Sequence, residues 1–357
     1  MHHHGPLVTD DDVLFRLPDH GAGYRAVRLC QELARPRVGP ELRLDPDRRS
    51  WELRWRRDGV DRMEYQFQVE DRDGQARHLL DPGNPLRAAG AFGDKSVIQF
   101  PGYRPPAWLA SPDGARGRLA ELDVDCPELG TPVRALVWSP HPAPGRRPLP
   151  LLVVHDGGDY ARYADLLRLL AHGVATGAVP PHRAALLVPA ERDERYAASG
   201  AYARALVRRV LPALQQAAPV PPGSAAYVGM GASLGALAML HAHRTAAAPF
   251  GALFLQSGSF FRRETDAQEA HLARFARIDR FVTQLLAARD APPRLIPVTL
   301  TCGGAEENLA NNRAVAAALA AQGYPARLHT TRDAHNWVSW RDALDQHLPA
   351  LLGACWS

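Results

Sequence analysis

Residues 224–244, SAAYVGMGASLGALAMLHAHR, constrain the fold of this chain more than any other stretch. The β-prone run 225–228 leads into Gly229-Met230-Gly231-Ala232-Ser233-Leu234-Gly235, and an alanine-rich segment with helical spacing follows. The run therefore predicts a strand, a tight turn and a helix. Within it, Gly231-Ala232-Ser233-Leu234-Gly235 is a G-x-S-x-G pattern, which places a serine on a sharp strand-to-helix turn with its hydroxyl exposed above a sheet. With no Cβ at Gly231 or Gly235, the helix can pass close to the strand and the serine can take a strained conformation. A plain small-residue turn reads the same way, but the flanking strand and helix make Ser233 a candidate nucleophile.

A serine hydroxyl needs a base beside it and a third group to orient that base. On a sheet with such an elbow the partners follow in the order serine, acid, histidine. The apolar run 296–301 ends in Cys302-Gly303-Gly304-Ala305-Glu306-Glu307-Asn308, and the run 326–331 ends in Arg332-Asp333-Ala334-His335-Asn336-Trp337. Each polar cluster falls at the C-terminal edge of a predicted parallel strand, where open α/β sheets place their sites. His335 is the candidate base. Glu306 is the candidate acid, because the Gly-Gly pair before it lets the turn tighten and the carboxylate project toward the histidine Nδ1. Glu307 suits the start of the next helix, where a carboxylate favours the N-terminal dipole, although the choice between the two glutamates stays open. Asp333 is too near His335 in sequence for the required contact.

A developing oxyanion needs N–H donors from the residue after the nucleophile and from an early loop. Leu234 is the first. The second is expected in His155-Asp156-Gly157-Gly158-Asp159, with Gly158 or Asp159 as the donor, against the alternative of a plain glycine turn.

Earlier in the chain the period is two rather than 3.6. Trp51, Leu53 and Trp55 alternate with charged residues, as do Met63, Tyr65, Phe67 and Val69 with polar ones, and Asp, Pro and Gly mark turns between them. Alternation of this kind predicts half-buried antiparallel strands, here a small β-sandwich over 12–100 after a disordered N-terminus at 1–11. Residues 101–118 are rich in Pro and Gly and read as a linker. From 119 to the end, two antiparallel strands (119–124, 133–138) precede apolar runs at 151–154, 184–188, 225–229, 252–255 and 298–301. These alternate with helical stretches at 163–175, 201–216, 234–244, 267–288, 309–322 and 338–352. Strand-helix alternation predicts a mostly parallel sheet covered on both faces.

The 357 residues suffice for two domains, and 46% hydrophobic with 22% charged residues suits a water-soluble chain. No apolar run is long enough to span a bilayer and no signal-peptide layout opens the chain, so the expected address is the cytoplasm. The net charge of +4 rests almost wholly on arginine, Lys95 being the one lysine, and acids are interspersed throughout, which argues against a nucleic-acid partner. Cys30, Cys126, Cys302 and Cys355 have no C-x-x-C spacing and suit reduced thiols. His2, His3 and His4 stand at a terminus and are excluded from any site.

Taken in order, these motifs resemble the enterochelin (enterobactin) esterase family within the esterase-D-like α/β hydrolases. The likeness is carried by Gly93-Asp94-Lys95-Ser96-Val97, Pro101-Gly102-Tyr103, His155-Asp156-Gly157-Gly158, Arg192-Asp193-Glu194-Arg195, Gly231-Ala232-Ser233-Leu234-Gly235, Gly303-Gly304-Ala305-Glu306 and His335-Asn336-Trp337. It spans almost all of the chain after residue 12. The resemblance implies an early-set immunoglobulin-like β-sandwich fused to an α/β hydrolase, with Ser233 as nucleophile, His335 as base and Glu306 as acid. It further implies hydrolysis of a ferric catecholate siderophore or a related oligoester, with iron arriving as part of the substrate and no metal site or cofactor in the protein. Arg192, Arg195, Arg262 and Arg263 are then candidates to pair with an anionic catecholate complex, and Trp337 to stack on an aromatic ring. Other aryl or feruloyl esters, acyl transfer on the same fold and a non-catalytic carbohydrate-binding protein are the alternatives. A homodimer is left open.

Overall fold

The computed structural model describes residues 5–356 apart from 20, 22, 48, 112–116, 143–144 and 290–293. His2, His3, His4 and residues 112–116 of the expected linker lie outside the described residues. The chain divides into two compact units: Met1–Pro105 together with Gly303–Glu307 and Thr330–Ser339, and Pro106–Cys302 together with Asn308–His329 and Trp340–Ser357.

The first unit is built on two antiparallel sheets. One has the order β1 (Leu7–Val8), β2 (Asp12–Pro18), β6 (Ser50–Arg56), β5 (Arg43–Asp45). The other runs β4 (Val38–Glu41), β3 (Ala26–Gln31), β7 (Arg62–Glu70), β10 (Lys95–Gln99), β9 (Arg87–Ala88), with β8 (Ala76–Leu79) pairing farther along β7. Two residues of the segment expected to be disordered are thus a strand, Leu7 and Val8 pairing with Leu14 and Val13. Alternation turns Met63, Tyr65, Phe67 and Val69 inward to at most 1% exposure. Phe15, Tyr65 and Phe67 meet edge to face, with centroids 4.7–6.4 Å apart, a geometry that adds about 0.5–1.5 kcal/mol per pair to their burial. Together with Trp51, Ile98 and Phe100 they fill the space between the sheets, as in an immunoglobulin-like sandwich.

The second unit carries an eight-stranded sheet in the order β11 (Arg118–Val124), β12 (Val133–Ser139), β14 (Arg183–Val188), β13 (Leu151–Val154), β15 (Tyr227–Ala232), β16 (Ala252–Gln256), β17 (Val298–Gly303), β18 (Ala326–Thr331). The first pairings are antiparallel, and those from β14 through β17 are parallel. Residues Leu151–Val154 are 0% exposed, as expected of strands buried on both faces. The strand order reverses at β13, which lies between β14 and β15. Open α/β sheets place their sites at such a switch point, here at the C-terminal ends of β13 and β15. The helices are α1 (Gly157–Tyr163), α2 (Leu166–Thr176), α3 (Arg192–Tyr196), α4 (Gly200–Ala205), α5 (Leu211–Ala217), α6 (Leu234–Thr245), α7 (Phe275–Ala287), α8 (Leu309–Ala321) and α9 (Trp337–Trp356). Among the described residues no helix is long and apolar enough to cross a membrane.

Several helices depart from the expected bounds for local reasons. The helix anticipated at 201–216 contains a widened turn at Leu206–Val210, where the Leu211 N–H bonds the carbonyl five residues back. Pro212 follows at once and has no N–H to donate, so the wider turn is the local solution. The short helix α1 starts at Gly157, within the stretch expected to be a loop carrying an oxyanion donor. Helix α6 is buried from Leu234 through His243. A helix covered on all sides cannot show an apolar stripe, and its alanines let β15 and β16 pack closely.

Gly157 and Gly158 separate two kinds of glycine. A Cβ at Gly157 would lie 2.3 Å from Leu186 Cα on β14, whereas one at Gly158 would meet only Val188 Cγ2 at 3.7 Å. We therefore expect Gly157→Ala to lose about 1–3 kcal/mol in urea unfolding, and Gly158→Ala to stay within about 0.5 kcal/mol of the parent. Equal losses at the two positions would contradict this packing.

Candidate active site

In the second unit, β15 ends at Ala232 and α6 begins at Leu234, which leaves Ser233 to make the turn alone at φ 55°, ψ −124°. A serine at positive φ pays steric strain, and such positions persist only where surrounding structure holds them. Here the Ser233 N–H donates to the Gln256 carbonyl (2.9 Å), its carbonyl accepts from the Ser259 N–H (3.1 Å), and its Oγ lies 3.0 Å from Ser259 Oγ. The glycines act as the spacing predicts. A Cβ at Gly231 would stand 2.6 Å from the Gly235 carbonyl, and one at Gly235 would stand 3.1 Å from both Asp156 Oδ2 and His155 Cβ.

Beneath the elbow lies a polar network. His155 follows β13 and is fully buried, with Nδ1 2.9 Å from the Gly235 carbonyl and Nε2 2.9 Å from the Tyr202 hydroxyl. Burial lowers its pKa to about 4, so the ring is neutral near pH 7. A neutral ring has one N–H, and the carbonyl only accepts; Nδ1 is therefore the donor and Nε2 accepts from Tyr202. Tyr196 stacks on the same imidazole at 4.4 Å. Asp156, at φ 51° and 4% exposed, takes a two-pronged bond from Arg192 (Nε 2.8 Å, Nη2 2.7 Å). Arg192 is thus occupied inside the unit. Arg195 is also 2% exposed and donates to the carbonyls of Thr131 and Pro132 at 3.1 and 3.3 Å. Both guanidiniums expected to meet an anionic ligand thus hold partners of their own within the unit.

Leu234 is the first residue of α6, while Gly158 and Asp159 lie in the first turn of α1, where Tyr160 N–H makes the bond back to Asp156. N–H groups at the start of a helix lack carbonyl partners within it. Arg262 and Arg263 sit on the connection after β16, the latter with a 71% exposed side chain; their backbone N–H groups bind Asp266 and Asp279.

In the first unit, the two segments 303–307 and 330–339 bring Glu306 and His335 together. His335 Nδ1 lies 2.8 Å from Glu306 Oε2, and because a carboxylate only accepts, the imidazole donates. Glu306 Oε1 accepts from the Gly303 N–H (2.7 Å). A Cβ on Gly303 would lie 2.4 Å from the Asp333 carbonyl, so only glycine allows this turn. Burial opposes a charged imidazole at His335, but the adjacent Glu306 carboxylate outweighs it and the pKa is raised above its ordinary value. Glu307 faces the other way, bound by Arg35 Nε (2.6 Å) and Arg37 Nη2 (3.0 Å), and α8 begins only after it. Glu307 directly precedes the Asn308 cap of that helix, and its carboxylate is held by this ion pair. Asp333 is engaged by Arg62 (2.8 Å). Trp337 opens α9 and is half-buried. Among the described residues no group of three or more His, Cys, Asp or Glu side chains is placed to hold a metal ion.

Ser259 and Asp156 were not singled out from the sequence. The signal for Ser259 was the small polar run Gln256-Ser257-Gly258-Ser259 directly after an apolar strand; that for Asp156 was its place before two glycines. For the pair, Glu306→Gln is expected to lower the pKa of His335 in an NMR titration, because the substitution removes the charge that favours imidazolium. An unchanged or higher value would show that another group sets it.

A family model, Esterase, described as "Putative esterase", matches residues 126–351. Among curated proteins no sequence matches the chain. Among solved structures, the enterobactin esterase of Shigella flexneri solved in the presence of enterobactin is similar over 98% of this chain and 96% of its own, at 20% identity and a TM-score of 0.74. The ferric enterobactin esterase of Salmonella typhimurium is similar over the same shares, at 18% identity and a TM-score of 0.75. A ferulic acid esterase covers 67% of this chain and 98% of its own, at 16% identity and a TM-score of 0.56. At such identities the likeness shows a common fold.

Proposed function

Because the chain belongs to the esterase family, whose model spans residues 126–351, we propose that it hydrolyses a carboxylic ester through an acyl-enzyme on Ser233. The observation that carries this reading is the positive φ of Ser233 between β15 and α6, a strained turn that presents a hydroxyl rather than packing a side chain. In the proposed cycle His335 takes the proton from Ser233 Oγ as it attacks the ester carbonyl carbon. Glu306 holds the Nδ1–H and stabilises the imidazolium. The N–H of Leu234, with that of Gly158 or Asp159, donates a hydrogen bond to the oxyanion. Collapse of the tetrahedral intermediate breaks the bond to the leaving alcohol, which receives the proton from His335. Water then repeats the sequence on the acyl-serine and frees the acid.

For the substrate we favour a ferric siderophore trilactone or a related oligoester. The likeness to two enterobactin esterases over nearly the full chain supports it, as does the set of ordered motifs. Arg262, Arg263 and Trp337 remain the proposed substrate contacts. A smaller aryl ester such as a feruloyl ester is the second reading, favoured by the likeness to a ferulic acid esterase. None of the four cysteines is in a disulfide, which suits a reducing, cytoplasmic address.

Ser233→Ala is expected to cut turnover of a p-nitrophenyl ester by roughly 1,000-fold or more while the protein melts as the parent does. Parental activity in that variant would remove the serine from the mechanism. A screen of ferric and iron-free trilactones beside aryl and feruloyl esters separates the substrates, the highest kcat/KM being expected with the ferric trilactone.

A further inference from the structure

Arg62 is the first residue of β7 in the sandwich, and its side chain is 2% exposed. Its guanidinium does not reach solvent or a surface acid. Nη1 donates to Asp333 Oδ2 (2.8 Å) and Asn336 Oδ1 (3.3 Å), and Nη2 donates to Glu64 Oε1 (3.1 Å). The ring of Tyr103 lies 5.9 Å from its central carbon. Asp333 and Asn336 flank His335 in the chain. They are also tied to each other, Asn336 Nδ2 donating to Asp333 Oδ1 (2.9 Å), and Asn336 Oδ1 accepts from the Ser339 N–H in the first turn of α9 (2.8 Å). One residue upstream the backbone joins in, the Asp61 N–H donating to the Arg332 carbonyl at 2.7 Å. The segment carrying the imidazole is therefore held on both sides by a single planar fork from the sandwich.

We infer that Arg62 is a positioning residue for His335, so that the N-terminal sandwich is a working part of the acid-base machinery rather than an appended module. This inference rests on the reading of His335 as the base for Ser233. A buried guanidinium is costly to desolvate, and a sandwich strand can be stabilised by an apolar residue at the same place. What an arginine adds is direction: a fork with fixed geometry that meets two acceptors on the far segment and one on its own strand. Burial pushes the carboxyls of Glu64 and Asp333 upward, and Arg62 opposes that rise at both. The segment 303–307 is also tied to arginines of the sandwich, Arg35 and Arg37 binding the Glu307 carboxylate while Glu306 faces His335.

The test compares variants in kcat, KM and the NMR signal of the His335 Nδ1 proton, with a p-nitrophenyl ester as substrate. Arg62→Lys keeps the buried charge but loses the fork. The triple variant Arg62→Met, Glu64→Gln, Asp333→Asn removes the buried charges together, so that no lone carboxylate is left to unfold the protein. In both, kcat should fall by about 10–100-fold with KM within about threefold, since displacement by an ångström costs this much, and the Nδ1 proton should exchange faster. Parental kcat with an unchanged Nδ1 proton in either folded variant overturns the inference. Should the triple variant not fold, Arg62→Lys alone decides in the same terms. Should neither fold, Asn336→Ala, which removes one acceptor of the fork, is read by the same measures and decides in their place. Ser233→Ala and His335→Ala run alongside: if these retain activity the catalytic reading itself has failed, whereas their loss with full activity at Arg62→Lys rejects only the role of Arg62.

Discussion

The approach of Gly231 to Gly235 is the contact on which the second unit depends. A Cβ at Gly231 would stand 2.6 Å from the Gly235 carbonyl, a distance that side-chain atoms do not tolerate. Because both positions are bare, α6 starts directly against β15, and the residue between them has no conformation left but a strained one. Hydrogen bonds from the neighbouring strand end then hold Ser233 on both sides of its peptide. The strain is local and the restraint is not, which is how a residue comes to be fixed in an unfavourable geometry.

Polar groups under that elbow show how burial selects a protonation state. His155 is surrounded by a carbonyl, a tyrosine hydroxyl and a stacked ring, and its desolvation leaves it neutral. His335 experiences burial too, yet its partner is a carboxylate, and the sign of the shift reverses. The difference lies in the neighbours rather than in the residue. One imidazole is a strut with a defined tautomer, and the other has its protonated form favoured by the carboxylate beside it.

The first unit joins a sandwich to two short segments from late in the chain, and arginines make that junction. Arg35 and Arg37 engage Glu307, while Arg62 engages Asp333 and Asn336. The pairs differ in kind. Glu307 is partly exposed and its ion pairs are screened by water, whereas Arg62 and Asp333 are withdrawn from it. A withdrawn pair that lost one partner would leave a buried charge, so the geometry there is the stiffer of the two.

Local spacing alone was enough for much of this chain. Alternation at Met63, Tyr65, Phe67 and Val69 set which face of β7 is buried, the G-x-S-x-G run set the elbow, and Gly303-Gly304 marked the tight turn before Glu306; each is a property of a few consecutive residues. Tertiary structure decided the rest. Arg192 and Arg195 read as free cations along the chain, but Asp156 lies 36 residues from the first and the carbonyls of 131–132 more than 60 from the second. Glu306 and Glu307 are adjacent and alike in composition, and what distinguishes them is their distant partners, His335 for the first and Arg35 and Arg37 for the second. Charge pairing across such separations depends on the path of the backbone between the partners, and no periodicity in the sequence records that path.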